Sequence, residues 1–378
     1  MRLLVPTNWD EGLISPLSEI RADVRIYGVL PISLMGSGGS GPDIPLMTTG
    51  QAEEYINSAQ SSGLTFNYLL NAPCLNNLEW REETHRELIE HLEWLERIGV
   101  GSVTVTIPFL LEIIKKRFPN LKVEVSTIAH VNSVARAQQF ESMGADSIML
   151  DYNINRDLEL LESIRSSVDC ELGVLTNTLC LYQCPYEYYH NNTLGHASQS
   201  GNMLNGHYVD YCSFQCSLSR YDDPAQFIKA RWIRPEDLEI YQQMGMDFFK
   251  IGGRSMPTDW IVNVAKAYAE MEYKGNLYDL LNPLAPKTAN ATSNMSSAHA
   301  AVISLLPDVH IDNQALDGFV DFFRNQDCLA GCGQCNYCQE IADKVVRFDQ
   351  GRVGQYVAVL KKFLGDLDSG RMFNPVSA

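Results

Sequence analysis

SVTVTIPFLLEIIKKRFPNLKVEVSTI, residues 102–128, holds one complete structural repeat: an apolar run rich in Val, Ile and Thr, a stretch of helical period, and a second such run. β-Branched residues suit a pleated surface, and a strand apolar on both faces is one covered by helices on both sides. Parallel neighbours need a crossover of a dozen or more residues between them, which the middle segment supplies. The stretch therefore predicts a βαβ unit.

Working outward, the same alternation fills the first 275 residues. Strand candidates are 2–6, 25–31, 65–71, 102–107, 122–128, 147–152, 171–177 and 247–253, eight in all. Helical segments fall at 51–62, 83–98, 108–116, 132–143, 156–167, 235–244 and 258–273, several opening on Ser, Asp or Asn caps. Eight strands in this rhythm predict an α/β fold, a closed (β/α)8 TIM-like barrel, with a doubly wound open sheet as the alternative. Function in a barrel sits at the strand C-terminal ends, where the chain carries Asn71, Cys74, Pro108, His130, Asn132, Asp151, Thr176, Asn177 and Arg254.

The connection after the seventh strand, 178–224, is far too long for a βα loop and is dense in Tyr, His, Asn and Cys. Loops of that length are functional or disordered, and this composition is wrong for disorder, so it is expected to fold over the barrel mouth. The barrel is assigned to 1–275. Residues 276–378 are expected to form a linker and a small cysteine-rich appendix, with a strand at 309–313, a helix at 314–325 and a final helical segment at 339–365.

A chain of 378 residues, 45% hydrophobic and 20% charged, can bury a large core. No apolar run reaches the ~18 residues of a membrane span, and the first residues are too weakly apolar for a secretory signal, so a soluble cytoplasmic chain is expected. That compartment keeps thiols reduced, which turns ten cysteines from disulfides toward metal ligands. A net charge of −17 repels polyphosphate and makes nucleic acid a poor partner beside a small-molecule or carrier-bound substrate.

The cysteines fall into Cys180 and Cys184, Cys212 and Cys216, and the compact set Cys328, Cys332, Cys335 and Cys338, with Cys74 and Cys170 apart. In the compact set, spacers of two or three residues and the turn-permitting Gly331 and Gly333 let four thiolates converge. Zinc or an iron–sulfur cluster fits such ligands; the C-x2-C-x2-C run places a 4Fe-4S cluster ahead of zinc. The two pairs in the long connection are expected to form a second four-cysteine site, with Cys74 able to replace one ligand and Cys170 a core residue.

Proton transfer is assigned to His130, His190, His196 and His207 as candidates, and Asp151 is either a base, an orienting group or a helix cap. Arg231, Arg234, Arg254 and Lys250 are candidates for holding a carboxylate, with Arg254 foremost. GSGGSG (36–41) lacks the G-K-[ST] of a phosphate loop and reads as a flexible lid. There is no G-x-S-x-G elbow and no H-E-x-x-H, so peptidase activity is disfavoured.

TNTLCLYQCPYEYYHN (176–191), YCSFQCS (211–217) and IRPEDLEIYQQMGMDFFKIGGRS (233–255), in that order and with VSTIAHVNS (125–133) before them, resemble the collagenase-like U-32 peptidase family over roughly 1–275. The family's K-I-E-G-R strand ending is Lys250, Ile251, Gly252, Gly253 and Arg254 here, without the Glu, and the 328–338 cysteines lie outside the common pattern. The resemblance implies a barrel related to oxygen-independent hydroxylation factors for ubiquinone precursors, transfer RNA or ribosomal RNA. It also implies a 4Fe-4S cluster on Cys180, Cys184, Cys212 and Cys216. The expected function is an iron–sulfur-dependent redox enzyme, of hydroxylase-like chemistry, served by an electron-donor protein. Alternatives are a zinc- or cluster-stapled assembly subunit without catalysis, and an RNA-modifying hydroxylation factor.

Overall fold

The structure, a computed structural model, describes residues 1–31, 33–38, 47–200, 210–282, 304–326 and 328–369. Its centre is a closed barrel of eight parallel strands: β1 (Arg2–Pro6), β2 (Asp23–Gly28), β3 (Thr65–Leu70), β4 (Ser102–Val105), β5 (Lys122–Val125), β6 (Ser147–Met149), β7 (Glu171–Leu175) and β8 (Phe248–Lys250). β1 closes it, pairing Arg2 with Asp23 on one side and with Phe248 on the other. The (β/α)8 expectation holds, with helices such as Thr49–Ser61, Glu82–Arg97 and Pro108–Arg117 outside the strands.

Most strands stop earlier than their apolar runs. At the end of β5, Ser126 accepts from the Ile128 amide and turns the chain into a short 3₁₀ turn, Thr127–Ala129, which ends on His130 at φ 52. After β6, Asp151 accepts from Asn153 N at 2.8 Å and starts another, Tyr152–Ile154. A short polar side chain that bonds its own following backbone competes with the sheet ladder. That competition lifts His130 and Asp151 out of the strands and onto the rim.

The barrel interior departs from the expectation of strands apolar on both faces. Strand alternation turns Thr104 and Glu124 inward. Thr104 Oγ1 lies 2.7 Å from Asn67 Oδ1 and 3.0 Å from Glu124 Oε1. Lys250 on β8 reaches across from the opposite wall, its Nζ 3.4 Å from Glu124 Oε1 and 4.4 Å from the Tyr27 ring centroid. Burial pushes the Lys250 ammonium down, and Glu124 opposes that shift.

One outer helix carries a pH dependence. His91, on Glu82–Arg97, packs with its ring centroid 5.2 Å from those of both Tyr68 and Trp94, and burial pushes it down to about 4. Above pH 6.5 both folded and unfolded states carry it neutral. Below that, the unfolded chain takes up a proton that the folded chain refuses until about pH 4. Urea titrations should therefore show His91 costing about 2 kcal/mol between pH 7 and pH 5. His91→Phe should flatten that part of the slope; an unchanged slope would contradict the burial of this ring.

In the appendix, the final helical segment is two helices, Tyr337–Val345 and Gln350–Asp368. Between them Val346–Phe348 (β10) pairs antiparallel with Val309–Ile311 (β9). The helix expected at 314–325 is two 3₁₀ pieces, Gln314–Leu316 and Phe319–Asn325, parted by Gly318 at φ 77. Arg234, expected among the carboxylate-binding cations, is instead a buried clamp. Its guanidinium makes a fork to Asp237 at 2.8 and 2.9 Å and reaches Asn313 O at 3.0 Å and Asp317 at 3.1 Å. Arg156 adds a second tie, its guanidinium 4.3 Å from the Trp232 ring and 4.8 Å from Phe319. Among the described residues, no helix is long and apolar enough to cross a membrane.

Candidate functional site

The long connection after β7 contributes the helices Glu187–Ala197 and Tyr211–Asp222. The first is latched over the strand C-terminal ends. Ser33 N donates to Ser198 O at 3.1 Å, Ser37 N to Ser198 Oγ at 2.8 Å, and Gln199 Nε2 to Cys74 O at 2.6 Å. His196 belongs to this latch, its Nδ1 3.3 Å from both Asn76 Nδ2 and Gln199 Oε1. The described part of the glycine-rich segment is bonded into the same place, with Gly38 N donating to Asn71 Oδ1 at 3.0 Å; Gly39–Gly41 and His207 lie outside the described residues.

Under the helix, three side chains from three parts of the chain meet. His130 Nδ1 stands 3.3 Å from Asp151 Oδ2 and 3.5 Å from Glu187 Oε1. All are buried, at 5%, 2% and 8% exposure respectively. Asn153 Nδ2 donates to Asp151 Oδ1 and Glu187 Oε2, both at 3.0 Å. The Tyr188 ring, itself exposed, covers His130 at 4.4 Å between centroids. Burial pushes the Glu187 carboxyl above its usual range, against the pull of Tyr152 and Asn153. Asp151 thus both caps its turn and faces His130.

The cysteine pairs of the connection come together beside this group. Cys184 and Cys216 influence each other most strongly, Cys180 is in electrostatic contact with both, and Cys212 with Cys216 one helical turn away. Cys216 pulls the Cys184 thiol down; burial pushes Cys180 up to about 11 and Cys212 up to about 12. His190 Nε2 lies 3.0 Å from Asp210 Oδ1 at the edge of the cysteines. Tyr152 is in electrostatic contact with both Cys180 and Glu187, so it stands between the thiols and the His130 group. Cys74 stands in the β3 loop, where its Sγ accepts from Asn76 N at 3.4 Å.

Cys328, Cys332, Cys335 and Cys338 line one cavity of about 220 Å³, with Lys229 and Arg231 on its wall. Gly333 at φ 92 permits the turn between them. A second cavity of about 220 Å³ shares Cys328 and Arg231 and runs past Tyr182, Gln183 and Arg156 to Asn132 and Asn153. Arg231 is stacked over Tyr182 at 3.6 Å, between Cys180 and Cys184 in sequence. Among the described residues no three thiols lie within 4.8 Å of one another. Four sulfurs ~2.3 Å from one zinc would stand about 3.8 Å apart. Both thiol sets are thus more open than a closed zinc tetrahedron.

Arg254 is placed at the mouth, with Nη2 donating to Ser37 Oγ at 3.2 Å. The residues that sequence reading missed are Glu187, Tyr152 and Asn153. Glu187 sits inside CPYEYYH, where its neighbours drew attention to the Cys and His, and Asn153 follows Asp151 by two positions.

Comparison with known proteins follows the same lines. The pattern of peptidase family U32 matches residues 70–276. An uncharacterized protease of Methanocaldococcus jannaschii is 32% identical over 297 residues, 77% of this chain and 80% of its own length. The tRNA hydroxylation protein P1 of Bacillus subtilis is 23% identical over 203 residues, 50% of this chain and 47% of that protein. The solved structure of the U32 peptidase Mk0906 superposes with a TM-score of 0.50 at 21% identity, covering 67% of this chain and 92% of the other, and supports the barrel fold.

Proposed function

Because the chain belongs to peptidase family U32, we propose that it is an iron–sulfur-dependent redox enzyme that hydroxylates, or modifies in a related way, a small or carrier-bound substrate. The observation that carries this reading is the junction at Tyr152. Tyr152 is in electrostatic contact with Cys180 of the cysteine pairs and with Glu187 of the buried His130, Asp151 and Glu187 group, so the thiols and a polar site stand side by side.

Cys180, Cys184, Cys212 and Cys216 would hold the cluster, which supplies one-electron transfer when bound. The rest is work for the chain's own residues. Asn132 and Gln183 line the cavity beside the site and offer amide groups to a polar substrate, while Arg156 and Arg231 give it a positive wall in a chain of −17. The helix Glu187–Ala197 and the Tyr188 ring keep water from His130. Inserting an oxygen atom without O2 oxidises the substrate by two electrons, so a second, hydroxyl-bearing organic molecule gives up the oxygen and takes up those electrons. An electron-donor protein sets the cluster's redox state. The 328–338 cysteines, which share a cavity wall with the site through Cys328 and Arg231, are proposed to hold a second cluster.

An RNA substrate is the second reading, favoured by what the Bacillus relative is named for. Mass spectrometry of small molecules, carrier-bound groups and tRNA nucleosides, from a host lacking the gene, decides between them. A small or carrier-bound species one oxygen atom lighter, restored by the wild type and not by Cys216→Ser, is the expected result. A change confined to tRNA nucleosides would put the RNA reading in its place. No oxygen-bearing species altered in any fraction would sink the hydroxylation reading.

A further inference from the structure

We propose that His130, Asp151 and Glu187 form a mononuclear site for a divalent cation of the Mn²⁺ or Fe²⁺ type, separate from both cysteine sets and independent of the iron–sulfur reading. One ligand atom from each residue lies within 4.8 Å of the other two. The spacing is that of ligands rather than of neighbours in general. Two donor atoms bound at about 2.1 Å stand about 3.0 Å apart at a right angle and about 3.5 Å apart in a tetrahedron. His130 Nδ1 is 3.3 Å from Asp151 Oδ2 and 3.5 Å from Glu187 Oε1.

Behind these atoms, an outer amide holds one oxygen of each carboxylate on the side away from the imidazole, while His130 Nε2 is buried without a hydrogen-bond partner. Asn153 Nδ2 takes Asp151 Oδ1 and Glu187 Oε2, and Asn153 N takes Asp151 Oδ1 again. The other two oxygens face the imidazole, and of them Asp151 Oδ2 also accepts from Asn132 Nδ2 at 3.3 Å. Glu187 Oε1 is buried with no hydrogen-bond partner, in a side chain more than nine-tenths buried. The backbone at His130 is held in the left-handed region, at φ 52, to present the ring there, with Arg136 Nη1 donating to the His130 carbonyl.

Charge points the same way. Two buried carboxylates and one imidazole leave a net negative charge even with the ring protonated, and an uncompensated buried charge is costly. A divalent cation removes it. One nitrogen and two carboxylate oxygens favour Mn²⁺, Fe²⁺ or Zn²⁺, whereas thiolate sets take Mn²⁺ poorly, and this makes Mn²⁺ the probe that distinguishes the site from the cysteines. With three protein ligands, positions remain for water or for a substrate oxygen arriving from the cavity lined by Asn132 and Asn153.

The test titrates Mn²⁺ into the full-length chain, purified anaerobically and dialysed against a chelator, with the free ion followed by electron paramagnetic resonance. One Mn²⁺ per chain is expected, at unchanged affinity in Cys216→Ser. Glu187→Gln, nearly isosteric and still able to accept from Asn153, should bind it at least about 30-fold more weakly, and Asn153→Ala about tenfold more weakly. Asp151→Asn serves if Glu187→Gln does not fold, as judged by circular dichroism. No uptake by the folded wild type, or equal uptake by the folded carboxylate variants, would overturn the site and leave the three groups a buried ion cluster.

Discussion

Lys250→Met is expected to destabilise the barrel by about 3–5 kcal/mol, the cost of leaving one member of a buried ion pair alone. Glu124 is 1% exposed, and Lys250 Nζ at 3.4 Å is the cation it faces across the barrel. Thr104 donates to Glu124 but brings no charge. The double variant Lys250→Met, Glu124→Gln should recover most of the loss, because no charge is then stranded. Urea unfolding of the two single variants and the double variant measures the coupling. A single-variant loss below about 1 kcal/mol would mean that the two groups do not depend on each other in the folded chain.

Cys216→Ser should remove about four iron and four sulfide per chain, the content of one cluster of the 4Fe-4S type, while leaving any centre on Cys328, Cys332, Cys335 and Cys338 in place. Cys216 is the hub of its group, in electrostatic contact with Cys184, Cys180 and Cys212. The complementary Cys332→Ala, Cys335→Ala variant should lose metal only from the appendix. If Cys216→Ser keeps the full iron content, the barrel-mouth thiols are not ligands, and the junction at Tyr152 loses its redox side.

Eight strands were legible because each is a short β-branched run followed by a helix-period segment, and that pattern is local. Where each strand ends was less legible. The runs KVEVSTI and SIMLDY stay apolar past the points at which Ser126 and Asp151 bend the backbone away, and a side-chain-to-backbone bond leaves no periodic trace. The polar interior was hidden in plain alternation. Thr104 and Glu124 each sit among valines, and only the curling of the sheet into a barrel, which turns the inner faces of β5 and β8 toward each other, shows that Glu124 has Lys250 to meet.

The candidate site was legible at its anchors and not in its assembly. His130 and Asp151 follow strand ends, where a barrel puts function, whereas Glu187 arrives from the connection after β7, and no spacing rule links it to them. The place of Arg234 was hidden for a similar reason. Arg234 was a candidate for holding a carboxylate, yet its partners Asp237, Asn313 and Asp317 include two from the appendix, to which no spacing rule links it. The break in the last helical segment depended on β9, some 35 residues earlier, supplying a partner for β10.

The redox assignment meets its most direct test in metal analysis of the wild-type, full-length chain purified without oxygen: iron, acid-labile sulfide and zinc, together with a visible absorption spectrum. Iron and sulfide in equal amounts, about four of each for every occupied cysteine set and about eight if both are filled, are expected. Zinc at the cysteines with no sulfide would contradict it and leave a zinc-stapled barrel without a redox centre.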